Sequence, residues 1–307
     1  MSKVSVGLGV GPPISATTLR SAATPDGPSP DGPDGSSLRS NAAASRARLA
    51  ERERARADRQ ERLAARPRRR RSDEELQEVV RRGQAELAGS GVGAADEAGA
   101  KEVVAWAAAE FGDSLAVASS MKDAVVPFLV SQELPWVDVL FGETGYHFAE
   151  TLGTRDLVAH ELDVTVVDVR PELSVAEQDA AYGKDLFARD PEACCRMRKV
   201  EPMRRALAGY EAWATGLRRA DSAGRREAPL ISWDAANGLV KINPLAGWSD
   251  DDLVSFALRH RLPANPLLAE GYPSIGCAPC TRAVAPGEDP RAGRWAGLEK
   301  SECGLHG

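Results

Sequence analysis

The placement of five cysteines constrains this chain more than any other feature. Cys194 and Cys195 are adjacent, Cys277 and Cys280 form a CxxC, and Cys303 stands alone near the C-terminus. Four thiols in two pairs, about eighty residues apart, read as a ligand set for one soft metal centre, so the fold must bring the pairs together. Zinc and a 4Fe-4S cluster both take four thiolates, although structural zinc sites usually draw on two separated knuckles rather than on directly adjacent ligands. Cys303 has no sequence-near partner and reads as a thiol left free to react. No apolar run approaches the ~20 residues that cross a bilayer, and the N-terminus lacks the charged-then-apolar order of a secretory signal. Metal-type cysteine spacing in such a chain points to a reducing cytoplasm rather than a disulfide framework.

Charge divides the chain unevenly. Residues 1–71 hold 15 Lys and Arg against 7 Asp and Glu, whereas the remainder holds 24 against 38, a net of -14. A body that acidic repels anions, so an anionic ligand needs local arginine clusters to draw it in. The first 42 residues or so are rich in Gly, Pro, Ser and Ala and cannot bury enough apolar surface to fold. Residues 43–71 alternate Arg, Ala and Glu and end in RPRRRR. The basic run Arg66 to Arg71 suits a nucleic-acid or membrane surface, but a solvated tail accounts for it as well, and neither partner is expected. The expected organisation is a disordered extension over 1–71 and a catalytic domain over 72–307.

Ser72 followed by Glu75 fits an N-cap with a capping box, which starts the folded part. Strands are expected at Leu115–Ala118, Trp136–Phe141 and Val164–Val169, separated by helical DAVVPFLVSQEL and by a helix over Tyr146–His160. A further helix follows from about Ser174. Later strands are expected near Glu211–Thr215, Pro229–Trp233 and Leu239–Ile242, with a helix over Ser249–Arg261. Strand–helix alternation of this kind implies right-handed crossovers and an α/β fold with a doubly wound, mainly parallel sheet. Ligands bind such sheets beyond the carboxyl ends of the strands. Ser119 and Ser120, between the first strand and its helix, suit a phosphate or sulfate there, although two serines before a helix are often simple caps.

The cysteine surroundings, CCRMRKVEPM, GCAPCTR and ECGLH, together resemble the assimilatory adenylylsulfate (APS) reductases, within the family of APS and phosphoadenylylsulfate (PAPS) reductases. SSMKD is similar to the modified pyrophosphate loop of that family, without the glycine that often stands at Ser120. GETGYHFAET is similar to its DTGxxFPET, with Glu143 for Asp and Ala149 for Pro. The resemblance covers roughly residues 100–307. It implies a fold of the adenine-nucleotide alpha-hydrolase-like (PP-loop) type, with a mobile C-terminal tail over 283–307 that carries the nucleophile.

It also implies a set of roles. Cys194, Cys195, Cys277 and Cys280 would hold a 4Fe-4S cluster, the mark of members that take APS. Lys199 matches the lysine that links the cluster region to the substrate. Arg218 and Arg219 in ATGLRR, and Arg291 and Arg294 in GEDPRAGRWAG, would bind phosphate and sulfate by guanidinium forks. Cys303 would attack the substrate sulfur, His306 would position substrate or tail, and thioredoxin would be the reductant. His147 receives no catalytic role, and Arg225, Arg226 and Arg282 read equally well as solvated surface. A PAPS reductase is the nearest alternative, with Arg225 or Arg226 accepting the extra 3′-phosphate. An adenylating or pyrophosphatase-type enzyme with structural zinc would leave Cys303 without a purpose. The sequence leaves a homo-oligomer open.

Overall fold

Each central strand alternates between two buried faces, the signature of a sheet covered on both sides. Leu115 and Val117, Val137, Val139 and Phe141, Ala212 and Ala214, and Val240 and Ile242 belong to one core cluster. Their neighbours Ala116, Leu140, Trp213 and Leu239 belong to another. The computed structural model describes residues 46–47, 49–59, 61, 70–89, 97–297, 300 and 304–305. The chain divides into two compact units, 1–49 and 50–307, and only residues 46, 47 and 49 of the first are described, all helical.

Helices α1 (Asp73–Gly89) and α2 (Glu97–Phe111) precede the sheet. The Ser72–Glu75 capping box forms as expected, Ser72 Oγ accepting from Glu75 N and Glu75 Oε2 from Ser72 N. Then follow β1 (Leu115–Ala118), α3 (Val125–Glu133), β2 (Val137–Gly142), α4 (Ala149–Glu161), β3 (Val164–Val169) and α5 (Val175–Tyr182). Short α6 (Leu186–Arg189) and α7 (Pro191–Cys195) lead through a π-turn, Arg196–Val200, into α8 (Glu201–Leu207). β4 (Ala212–Thr215), β5 (Ile231–Asp234), β6 (Leu239–Ile242) and α9 (Asp250–His260) complete the regular elements. The strand order is β3-β2-β1-β4-β6-β5, parallel except for β5. The mainly parallel α/β sheet expected from the sequence is therefore present, with strand ends shifted by a residue or two.

α1, α2, α3 and α9 cover the first face through residues such as Leu76, Val103, Leu129 and Phe256. The second face has a thinner cover: Met203 and Leu207 of α8, with Trp295 and Leu305 from the C-terminal segment. Ala118 pairs in register with Leu140 and with Thr215, so β1 and β4 end at one level while β2 runs two residues further, to Gly142, and their exit loops open at the same edge.

Residues 50–59, read from sequence as part of a disordered extension, are helical and meet the opposite edge of the sheet. Arg59, only 2% exposed, pairs with Asp113 and Asp138 at 3.1 Å each, ahead of β1 and at the start of β2. Arg71 pairs with Glu110 and with Glu211, the residue before β4. The local sequence is polar because its arginines seek carboxylates at the strand origins rather than an apolar groove. Of the run Arg66 to Arg71, only Arg70 and Arg71 lie among the described residues.

Removing one partner of a buried ion pair leaves the other charge uncompensated, at a cost of about 3–5 kcal/mol when burial is complete. Asp113 and Asp138 retain some solvent contact, so Arg59→Met should destabilise by about 2 kcal/mol. Urea unfolding measures this, and an unchanged midpoint would contradict the pairing.

Candidate active site

The loop leaving β1 is built around a left-handed residue. Met121 has φ +58° and is fully buried, with its N–H on Ser119 Oγ at 3.1 Å. Asn265, also buried, anchors the loop by donating its backbone N–H to Lys122 O at 2.9 Å and its side-chain amide to Thr151 Oγ1 at 3.0 Å. Ser119 and Ser120 both line the cavity above, but the Ser119 hydroxyl is already engaged within its own turn. Asp123 accepts from the N–H of Val125, the first residue of α3, at 3.0 Å. A carboxylate thus sits where the sequence suggested an anion site.

The loop leaving β2 is fixed by Gly145, at φ +76°, whose N–H reaches Glu143 Oε1 at 2.7 Å. A Cβ there would lie 2.9 Å from Val175 Cγ2 and 3.1 Å from Arg198 Nη2, so the position requires glycine for space as well as for backbone conformation. His147 stacks on Phe141 and places Nε2 2.9 Å from Gly142 O. Burial lowers its pKa, which favours the neutral ring, and its contacts are those of a structural residue, a role the sequence left open beside a functional one.

The first cysteine pair closes α7, whose start is capped by Asp190 and by Pro191. Adjacent residues on a helix point about 100° apart, so both thiols serve one centre only if it lies between them. The π-turn that follows has a local cause. Pro202 carries no N–H and would crowd the carbonyl four residues earlier, and a wider turn relieves both. That turn buries Arg198, which donates to Thr144 O, to Leu173 O at 3.3 Å and to Gln178 Oε1 at 3.0 Å. Thr144 Oγ1 in turn lies 3.3 Å from Cys277 Sγ, and Ala278 N donates to Tyr146 O at 2.7 Å. Arg198 and the β2 loop therefore tie the two cysteine segments together.

All four cysteines are free thiols and line one cavity of about 450 Å³. Burial, and then the charges of Cys195, Cys277 and Cys280, push the Cys194 thiol up to about 12. Burial, Cys277 and Cys195 push Cys280 up to about 11 against the opposing pull of Arg294 and Lys300. The thiols therefore stand close enough to repel one another as anions, with cations beside them. Among the described residues no three His, Cys, Asp or Glu form a group that could by itself hold a single metal ion.

Past Cys280 the chain folds back over the pair. Arg282 N donates to Gly293 O and Trp295 N to Cys280 O, both at 2.9 Å. Gly293 is required here, because a Cβ would fall 2.2 Å from Arg282 O. Arg294 lies over the Trp295 ring at 4.3 Å and donates to Ile275 O at 3.3 Å. Arg282 pairs with Glu288 at the surface. Lys300 pairs with Glu192 of α7, and Leu305 packs in the cluster that Cys195 and Cys280 border. Cys303 and His306 lie outside the described residues.

Of the predicted anion ligands, Lys199, Arg218, Arg291 and Arg294 line the cavity with the cysteines. Arg219 does not. It opens a 3-10 turn, Arg219–Asp221, and donates through Nε to Ala228 O at 3.0 Å. Arg218 is 3% exposed and held by Asp221 and Asp250 at 2.9 and 2.7 Å. Sequence reasoning missed Arg198, Asp221 and Asp250, and left Arg225 equally open as surface although it lines the cavity. The four-residue spacing of Asp221 and Arg225 was the available signal, since it brings the pair to 3.3 Å on a turn.

Residues 114–283 match the model of the phosphoadenosine phosphosulfate reductase domain. The chain is 55% identical over 235 residues to the adenosine 5′-phosphosulfate reductase of Mycolicibacterium smegmatis, covering 76% of this chain and 96% of that protein. It is 53% identical to the Streptomyces coelicolor enzyme of the same name, covering 77% and 97%. Among solved structures, the phosphoadenylyl-sulfate reductase of Candida auris superposes with a TM-score of 0.52 at 26% identity, covering 60% of this chain and 90% of that one.

Arg198→Met would leave three buried carbonyl-type acceptors without their donor. The expected cost is about 2–4 kcal/mol, read as a lowered urea midpoint, with Arg198→Lys losing less. A wild-type midpoint for the Met variant would contradict the role given to Arg198.

Proposed function

The chain belongs to the phosphoadenosine phosphosulfate reductase family, and from that membership we propose that it reduces adenylylsulfate to sulfite and AMP in the cytoplasm, with thioredoxin as reductant. The observation that carries the reading is the convergence of Cys194, Cys195, Cys277 and Cys280 on a cavity shared with Lys199, Arg291 and Arg294. Relatives named for the same substrate, at 53–55% identity, support it.

The donor set fits an iron–sulfur cluster: four thiols outside any disulfide line one cavity, with Arg294 and Lys300 beside Cys280 as counter-charge. Cys194, Cys195, Cys277 and Cys280 would hold it. When bound, a 4Fe-4S cluster would fix the two cysteine segments and present a polarising surface beside the substrate. The chemistry belongs to the chain's own groups. Lys199, Arg291 and Arg294 hold the phosphosulfate, giving an acidic body a local attraction for that anion. Ser119 and Ser120 face the nucleotide from the β1 loop. Arg218 acts by holding the β4 loop, since its fork is already occupied by carboxylates.

The Cys303 thiolate attacks the sulfur of adenylylsulfate. A sulfur–sulfur bond forms, the bond from sulfur to the bridging phosphate oxygen breaks, and AMP leaves with its charge held by the arginines. A thioredoxin thiolate then attacks Cys303 Sγ, sulfite departs with the electron pair, and the mixed disulfide is resolved by thioredoxin's second thiol. His306 positions the tail. A 3′-phosphorylated substrate would follow the same steps and release adenosine 3′,5′-bisphosphate.

Two substitutions test these assignments. Cys303→Ser should abolish sulfite release while iron and acid-labile sulfide stay at wild-type levels, and retained turnover would remove Cys303 from the reaction. Lys199→Ala should keep the iron content and lower turnover by about 100-fold or more. Lost iron with an undiminished rate per remaining cluster would move Lys199 from the substrate to the metal centre.

A further inference from the structure

The cavity has two chemically different ends. Arg294 stands beside the Cys280 thiol at one. The other lies over the exits of β1 and β4, with apolar walls such as Val126, Pro127, Leu217 and Leu253. Its charges are Lys122, Arg218 and Arg225 against Asp123, Asp221 and Asp250, so it is formally neutral. With the sulfate at the thiol end, the nucleoside falls at this one.

Both arginines at the nucleoside end are already engaged by carboxylates. Arg218 Nη2 donates to Asp221 Oδ1 at 2.9 Å and to Asp250 Oδ1 at 2.7 Å. Asp221 Oδ2 accepts from Arg218 N–H at 2.9 Å and from Arg225 Nη1 at 3.3 Å. Asp221 thus joins two guanidinium groups, and with the Arg218 side chain 4% and its own 17% exposed, these charges are poorly screened. Asp250, 73% exposed, contributes less because solvent screens it.

We propose that Asp221 and Asp250 are specificity-determining residues: by neutralising Arg218 and Arg225 they fit the nucleoside end to a ribose with free hydroxyls and turn away a 3′-phosphate. The inference deepens the reductase reading and rests on it. A hydroxyl can donate to these carboxylates. A 3′-phosphate brings up to two negative charges against them, and each guanidinium already faces a carboxylate, although Arg218 Nη1 itself has no hydrogen-bond partner among the described residues. Arg225, which the PAPS-type alternative would use as a spare cation, is instead bound to Asp221.

Calorimetric titration of the intact protein with AMP and with adenosine 3′,5′-bisphosphate tests this without reductant or turnover. Wild type should favour AMP. Asp221→Asn with Asp250→Asn should shift the ratio of the two dissociation constants toward the bisphosphate by at least about tenfold, with Asp221→Asn giving the larger part. A ratio within about twofold of wild type in the folded double variant would overturn the proposal. If Asp221→Asn does not fold, Asp250→Asn alone decides: a shift of about threefold or more supports it, and a smaller one overturns it. Wild-type preference for the bisphosphate would overturn it by favouring the PAPS-type reaction, whereas binding of neither nucleotide would overturn the reductase reading itself.

Discussion

One buried guanidinium holds the site together. Arg198, three residues beyond Cys195, donates to three oxygens, none of them a carboxylate, and one belongs to the residue whose hydroxyl touches Cys277. A cation taken out of water into neutral partners is costly unless negative charge lies close by. Here the nearby candidates are the cysteine sulfurs, and Arg198 does draw the Cys194 pKa down against the larger effect of burial. Deprotonation of the thiols therefore depends on the positive charge of a bound centre, with Arg198 a minor aid at Cys194. Arg198 also couples that centre to the β2 loop beside the substrate cavity.

The sheet explains why both ends of the cavity exist. β1 and β4 end level and β2 runs on to Gly142, so three exit loops meet over one edge, two of them flanking the central one. The first thiol pair closes α7, which leads through the π-turn into α8 on the thinly covered face, and α9 brings Asp250 from the other. A substrate laid across the strand ends therefore meets cations beside the thiols at one end and carboxylate-paired arginines at the other. That asymmetry, more than net charge, orients a ligand whose own charge is concentrated at the phosphosulfate.

Local pattern revealed much of this. Short apolar runs bounded by helical segments identified β1 and β3 to the residue. The cysteine spacing identified the thiol set. What it could not supply were pairings between distant segments and the directions of side chains. Arg219 turns to Ala228 O while Arg218 turns inward, a difference of one residue that no motif encodes. Residues 50–59 read as a solvated stretch because their partners, Asp113 and Asp138, lie far along the chain. Asp250 looked like one more acid in a helix's first turn, which it also is.

The division of labour among the cysteines, four for a metal centre and one for the substrate, is tested most directly by trapping the intermediate. Protein purified without oxygen would be incubated with adenylylsulfate labelled in its sulfur, with no reductant, and the bound label mapped by peptide mass spectrometry. The label should sit on the peptide containing Cys303 and be discharged as sulfite by reduced thioredoxin. Label on Cys194, Cys195, Cys277 or Cys280, or AMP release with no covalent label, would contradict it.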